Sequence, residues 1–225
     1  MSAPFNNLTK CLSFNLYDFA VTQTESEKRS YSSHVRRHFS AARVAETLTE
    51  VASILGAGVL HVSKQDSPPA DASVNVHLDK SHVSAHTSLD TNDPLGVSTF
   101  RVDVDIATCG DTSPLAALPH LLTAMRWNDV VVLDYVVRGF TRDGEKRVYM
   151  DHDMESILPY IDPKVLEAFH CEEWSWAPRR VWQTRLLRMQ YDRADYFADG
   201  ADLSTADNLA AFARLEAAMR QVFHA

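Results

Sequence analysis

Phe100-Arg101-Val102-Asp103-Val104-Asp105-Ile106-Ala107-Thr108 is the cleanest two-residue alternation in the chain. Side chains alternate faces along a strand, so Val102, Val104 and Ile106 share one face and Arg101, Asp103 and Asp105 the other. Such a strand needs an apolar layer on one side only. The rest of the chain is read outward from it.

Upstream, 82–88 is a further strand candidate, and 90–96, with Asn92-Asp93-Pro94, is a loop. Residues 59–62 and 73–78 read as short strands separated by the turn-forming Asp66-Ser67-Pro68-Pro69. Before them, Thr24-Glu25-Ser26-Glu27 has the form of a capping box. The helix it opens carries Val35, Phe39, Ala42, Ala45, Leu48, Ala52 and Leu55 at helical spacing, and Gly56 and Gly58 end it. Cys11 to Phe19 alternates as a strand with Leu12, Phe14 and Leu16 on one face.

Downstream, Ser113-Pro114 opens a helix in the N-cap and first-turn order, with Leu115, Leu118, Leu122 and Met125 as its apolar stripe. Pro119 inside it predicts a kink or a late start. Residues 130–137 form a long apolar strand ending at Arg138-Gly139. From Asp151 the texture becomes helical: a short helix capped by Asp162-Pro163, a helical segment over 179–190, and a last helix over 208–223. Ser204 and Asp207 begin that helix, with Leu209, Phe212, Leu215, Met219 and Val222 on its apolar face. The order predicts an α+β fold, a two-layer sandwich with helices on one face of a mainly antiparallel sheet. Two similar halves make a core over 1–150, and 151–225 is a helical C-terminal extension of the same domain.

Composition narrows the function classes. A net charge of −8 without a Lys/Arg run argues against a nucleic-acid surface. No apolar run approaches the ~18 residues of a membrane span, and the N-terminus lacks an apolar signal core. Three cysteines, Cys11, Cys109 and Cys171, are odd in number and far apart, which points to a reducing compartment and a cytoplasmic protein. Glycine is scarce and no Gly-rich fingerprint follows a strand, so Rossmann and P-loop readings fail.

The candidate chemistry lies in His77-Leu78-Asp79-Lys80-Ser81-His82-Val83-Ser84-Ala85-His86-Thr87. On a strand His82, Ser84 and His86 share one face, and Ser81, Val83 and Ala85 the other. Cys109 falls on the polar face with Asp103 and Asp105 at a strand end, an unusual place for a structural cysteine. Ser81-His82 lacks the G-x-S-x-G elbow of a nucleophilic serine. His77 and His82 differ in parity and no second Cys or His cluster completes a tetrahedral set, which argues against zinc.

These residues carry a family resemblance. The sequence resembles the bacterial S-adenosylmethionine decarboxylase proenzymes of the longer, magnesium-stimulated class. The matching stretches run in order: Phe5-Asn6-Asn7-Leu8-Thr9-Lys10, His77 to His82 with His86-Thr87, Thr99-Phe100-Arg101, Thr108-Cys109-Gly110 and Ser113-Pro114-Leu115. Asp134-Tyr135, Arg138 to Asp143 and Asp151-His152 complete the set. The resemblance implies a pyruvoyl enzyme that cuts itself between Lys80 and Ser81. An N-to-O acyl shift and β-elimination would turn Ser81 into a pyruvoyl group, the Schiff-base-forming electron sink, at the head of 81–225. It gives His86 the role of processing acid/base and Cys109 that of proton donor. Ser73 is a candidate processing helper and Phe5 a candidate to stack on adenine. It further implies S-adenosylmethionine as substrate, spermidine synthesis as destination, magnesium as an activator and self-association of αβ protomers. The segment between Ser73 and His77 is shorter than in that class, and the loop over 90–96 differs. A pyruvoyl decarboxylase of arginine or ornithine, or an unprocessed regulatory paralogue, therefore stays open as an alternative.

Overall fold

The computed structural model describes residues 8–109, 112–125, 129–139, 151 and 153–225. Its spine is β1 (Thr9–Val21), a thirteen-residue strand in which Leu12, Phe14 and Leu16 are buried beneath helices. It pairs antiparallel with β5 (Val97–Cys109), and the buried residues meet directly: Leu12 opposite Ile106, Phe14 opposite Val104, Leu16 opposite Val102. On its other edge it pairs antiparallel with β6 (Val130–Arg138).

Between β1 and β5 the chain builds two helices and a meander. The capping box at Thr24 and Glu27 opens α1 (Glu25–His38). The single helix expected up to Leu55 is broken at Phe39-Ser40, and Ser40 caps a second helix, α2 (Ala41–Ile54). A side-chain hydroxyl at the break satisfies an N-terminal amide, so the chain can turn and press a new face on the sheet. Val44, Leu48, Val51 and Ala52 form that face, while Ala42, expected there, is exposed. Gly56, at φ +66, ends the helix in the left-handed region as expected. The meander is β2 (Val59–Ser67), β3 (Asp71–Leu78) and β4 (His82–Asp90), with β4 pairing on to β5.

After β5, Ser113 caps a 3-10 turn over Pro114–Ala117, which passes into α3 (Leu118–Ala124). Pro119 sits in the first turn of α3, where a missing N–H costs nothing, so the late start replaces a kink. A short helix α4 (Pro163–Leu166), capped by Asp162, follows β6. The helix expected over 179–190 is instead β8 (Val181–Arg188), preceded by β7 (Phe169–Trp176). Trp182, Thr184 and Leu186 alternate inward there, and β8 fills the ladder between β6 and β7. The sheet thus has eight strands in the order β2-β3-β4-β5-β1-β6-β8-β7, antiparallel at each of these pairings.

The expected terminal helix is α5 (Ala206–His224), capped by Thr205. It buries Ala211, Phe212, Leu215, Met219 and Phe223, whereas Leu209 is exposed. It lies on the face opposite α1, α2 and α3, against Phe19, Val21, Val97, Val130 and Leu187. That placement explains a parity change within β1: inward positions are even up to Leu16 and odd from Phe19. Beyond α5 the described residues leave the same face uncovered. Arg185 ties the helix end down by donating to the carbonyls of Phe223 and Ala225. On the covered face, buried Asp151 accepts from the hydroxyls of Tyr135 (2.6 Å) and Tyr160 (3.0 Å), pinning the chain after β6 to the sheet.

At the parity change a half-buried carboxyl, Asp18, lies near a buried one, Asp129. Asp18 accepts from Tyr31 at 2.7 Å, and Asp129 accepts from Tyr196 at 2.8 Å and from the Phe19 amide at 3.0 Å. Burial, then the neighbouring Asp129, pushes the Asp18 carboxyl well above the usual carboxylate range; burial also raises Asp129. The folded chain therefore holds protons that the unfolded chain has already released above pH ~4, so stability falls as pH rises through that window. In chemical unfolding between about pH 5 and pH 8, the wild type is expected to lose stability with rising pH and Asp18→Asn to show a flatter slope. Equal slopes would refute the assignment.

Candidate active site

The Lys80-Ser81 peptide sits where β3 turns into β4. The Leu78 N–H donates to the Ser81 carbonyl at 3.0 Å, leaving Asp79 and Lys80 as a two-residue turn. Asp79 anchors that turn to the start of β2: its N–H donates to the Gly58 carbonyl at 2.9 Å, and its carboxylate accepts from the Gly58 N–H at 3.3 Å. The Ser81 hydroxyl oxygen is buried and, among the described residues, has no hydrogen-bond partner. A buried hydroxyl without a partner costs about 1–3 kcal/mol, so its retention at this turn asks for a reason.

His82 lies opposite Ala107, so one residue back along the ladder Ser81 faces Thr108, and the next residue of β5 is Cys109. Strand alternation divides the two functional groups. Cys109 is exposed on the uncovered face with Asp105, and Ser81 follows Val83 and Ala85 towards the helices. Cys11 shares the uncovered face: burial raises its thiol, Asp105 and Cys109 add to the rise, and Arg138 opposes it. Arg138 and Cys109 both lie opposite Thr9, one on each side of β1.

His86 lies directly opposite Ser73, and its Nδ1 is 3.0 Å from the Ser73 hydroxyl. Across the other ladder it faces Asp103, which accepts from Arg101 Nε at 2.6 Å; the Arg101 guanidinium in turn stands 5.5 Å from the centre of the Tyr17 ring. The imidazole has its orientation fixed from one side by the Ser73 hydroxyl. It is five residues from Ser81 along an extended strand, about 16 Å at the usual rise. Ser73 is thus brought to His86 and Cys109 to the neighbourhood of Ser81, but His86 is not brought to Ser81 in the uncut hairpin.

The parity argument against pairing His77 with His82 fails, because the two lie on different strands. They stand directly opposite each other on the uncovered face, with His61 opposite His77 in turn. Among the described residues, however, no group of three His, Cys, Asp or Glu side chains could hold a metal ion. Phe5, Gly110, Phe140 to Asp143 and His152 lie outside the described residues.

One residue of the site carries no signal of its own in the sequence. Lys10 is 0% exposed, an extreme place for a lysine, and its Nζ donates to the Thr112 carbonyl at 3.0 Å. The Thr108 hydroxyl donates to the same oxygen at 3.0 Å. The only clue was the opening motif, Phe5 to Lys10, in which it stands last.

A family model described as S-adenosylmethionine decarboxylase matches residues 31–139. The S-adenosylmethionine decarboxylase proenzyme of Stenotrophomonas maltophilia is 34% identical over 98% of this chain and 93% of its own length. That of Halorhodospira halophila is 35% identical over 97% of this chain and 92% of its own. A solved structure of the adenosylmethionine decarboxylase from Aquifex aeolicus superposes with a TM-score of 0.42 at 20% identity, over 64% of this chain and 100% of that one. On the strength of the full-length relatives, the chain belongs to the S-adenosylmethionine decarboxylase proenzyme family.

Proposed function

We propose that the chain cuts itself between Lys80 and Ser81 and then decarboxylates S-adenosylmethionine, yielding the aminopropyl donor for spermidine synthesis. The observation that carries this reading is the buried Ser81 hydroxyl, which has no hydrogen-bond partner among the described residues, at a two-residue turn. It sits in a chain whose full-length relatives are named proenzymes.

In the proposed processing, Ser81 Oγ attacks the Lys80 carbonyl carbon. A C–O bond forms, the peptide C–N bond breaks, and the freed nitrogen becomes the Ser81 α-amine. Loss of the Ser81 α-proton with cleavage of its Cβ–Oγ bond then releases residues 1–80 with a Lys80 carboxylate. Water displaces the nitrogen as ammonia and leaves a pyruvoyl group at the start of 81–225. His86, oriented by Ser73, is the group to take the α-proton. To reach it, residues 79–82 must leave the ladder and fold back along the uncovered face, since the extended hairpin keeps the two apart.

The pyruvoyl ketone supplies an electron sink for the substrate amine as CO2 leaves. Cys109 is the proton donor in this reading: its thiol is exposed and one residue beyond the position facing Ser81. No step is routed through magnesium. Free thiols at Cys11, Cys109 and Cys171 fit a cytoplasmic setting. Among the described residues no helix is long and apolar enough to cross a membrane. Self-association of the cut protomers is also inferred; edge strand β7 exposes Trp174 and Trp176, and sedimentation of the purified protein tests it.

Intact mass should show two fragments split between Lys80 and Ser81, the larger with a blocked N-terminus, and one uncut chain for Ser81→Ala. A wild type that stays whole would leave only the regulatory alternative. Ser73→Ala should slow cutting by about tenfold or more by loosening His86; an unchanged rate would remove Ser73 from the reading. Cys109→Ala should still cut, yet lose about 10²–10⁴ in kcat for CO2 release from labelled S-adenosylmethionine. Labelled arginine and ornithine, run beside it, test the substrate: faster release from either would overturn the assignment.

A further inference from the structure

Lys10 lies next to the proposed proton donor and has no part in the chemistry above. It pairs with Thr108 across the β1–β5 ladder, one residue before Cys109. Its stem runs on the helix-covered side, and its amine joins the Thr108 hydroxyl on the Thr112 carbonyl. The chain leaving β5 at Cys109 is therefore held on both sides, by the ladder before the cysteine and by this doubly bonded carbonyl three residues after it. An exposed residue at a strand end otherwise has little to fix it. Burying a lysine is costly, and a leucine or methionine stem would fill the same volume more cheaply.

Resting on the decarboxylase reading, we propose that Lys10 is a positioning residue that sets where the Cys109 thiol stands when it delivers its proton. Position decides the outcome of that delivery. The electron pair left by departing CO2 is shared between the substrate carbon and the cofactor carbon. A proton on the substrate carbon leads, after hydrolysis, to the amine product and returns the ketone. A proton on the cofactor carbon leads, after hydrolysis, to an aldehyde and leaves alanine where the pyruvoyl group stood. A thiol held against the first carbon suppresses the second path.

The test uses the purified, self-cut enzyme with Lys10→Met, which keeps the apolar stem and removes the donor. The expected result is normal cutting, a kcat about tenfold or more lower with KM within about threefold, and a larger share of chains ending in N-terminal alanine by peptide mass. In a Cys109→Ala background Lys10→Met should add nothing further, because both changes act on one proton transfer. Lys10→Gln, which restores a donor, should recover part of the loss. Unchanged kcat and alanine fraction would overturn the proposal, as would losses that multiply with Cys109→Ala. Should Lys10→Met fail to fold, Thr108→Val removes the other donor on the same carbonyl and is read the same way. A wild type that neither cuts nor decarboxylates would sink the parent reading; an active wild type with an indifferent Lys10→Met would sink only this one.

Discussion

The ladder between β1 and β5 is the interaction on which the rest depends. It joins all thirteen residues of each strand in register, and it sets apolar side chains against apolar side chains on one face. A slip of one residue would turn every one of them to the wrong side, so the register is fixed by burial itself. Everything chemical inherits that register. Cys109 opposite Thr9, Lys10 opposite Thr108 and, through the next ladder, Ser81 facing Thr108 are consequences of the same alignment.

The two faces of the sheet then divide the labour. Helices α1, α2 and α3 cover one side and exclude water from the Leu12, Phe14 and Leu16 row, while α5 seals only one end of the other. The remaining strip carries Ser73, His86, Asp103, Asp105 and Cys109, polar groups held on rigid strands rather than on loops. Rigid support is what a proton transfer needs, since small displacements are expensive in rate. The Ser81 hydroxyl is the exception, drawn to the covered side by strand parity.

Much of this was legible in the residues. The period-two runs at Cys11 to Phe19 and at Phe100 to Thr108 announced the two central strands, and Thr24 with Glu27 announced the start of α1. Local chemistry sufficed there because the partner of each group lies a few residues away. It did not suffice at 179–190, where Arg, Gln and Leu suit a helix and only the vacancy between β6 and β7 makes a strand of them. Nor did it reveal the break at Ser40, which tertiary packing selects. For the site, Ser81, His86 and Cys109 stood out through the family resemblance more than through their own spacing. Pairing across strands brings Ser73 to His86 and His77 to His82, and neither pairing can be read from parity within one segment. Lys10 was hidden for the same reason: its partner carbonyl lies about a hundred positions away.

The order of strands has one further consequence. Residues 1–80 contain β1, α1, α2, β2 and β3, and the rest of the sheet belongs to 81–225. A cut at the β3–β4 turn leaves β1 threaded between β5 and β6 and leaves β3 paired to β4. The two pieces stay locked together because parting them means tearing the sheet through its middle. Assembly, however, changes its molecularity. Before the cut, folding is an event within one chain; after it, regaining the native state requires two chains to meet, so stability becomes tied to concentration. A protein that cuts itself at this turn would have to finish folding first, and once cut it would be preserved by the slowness of its unfolding rather than by its ability to refold.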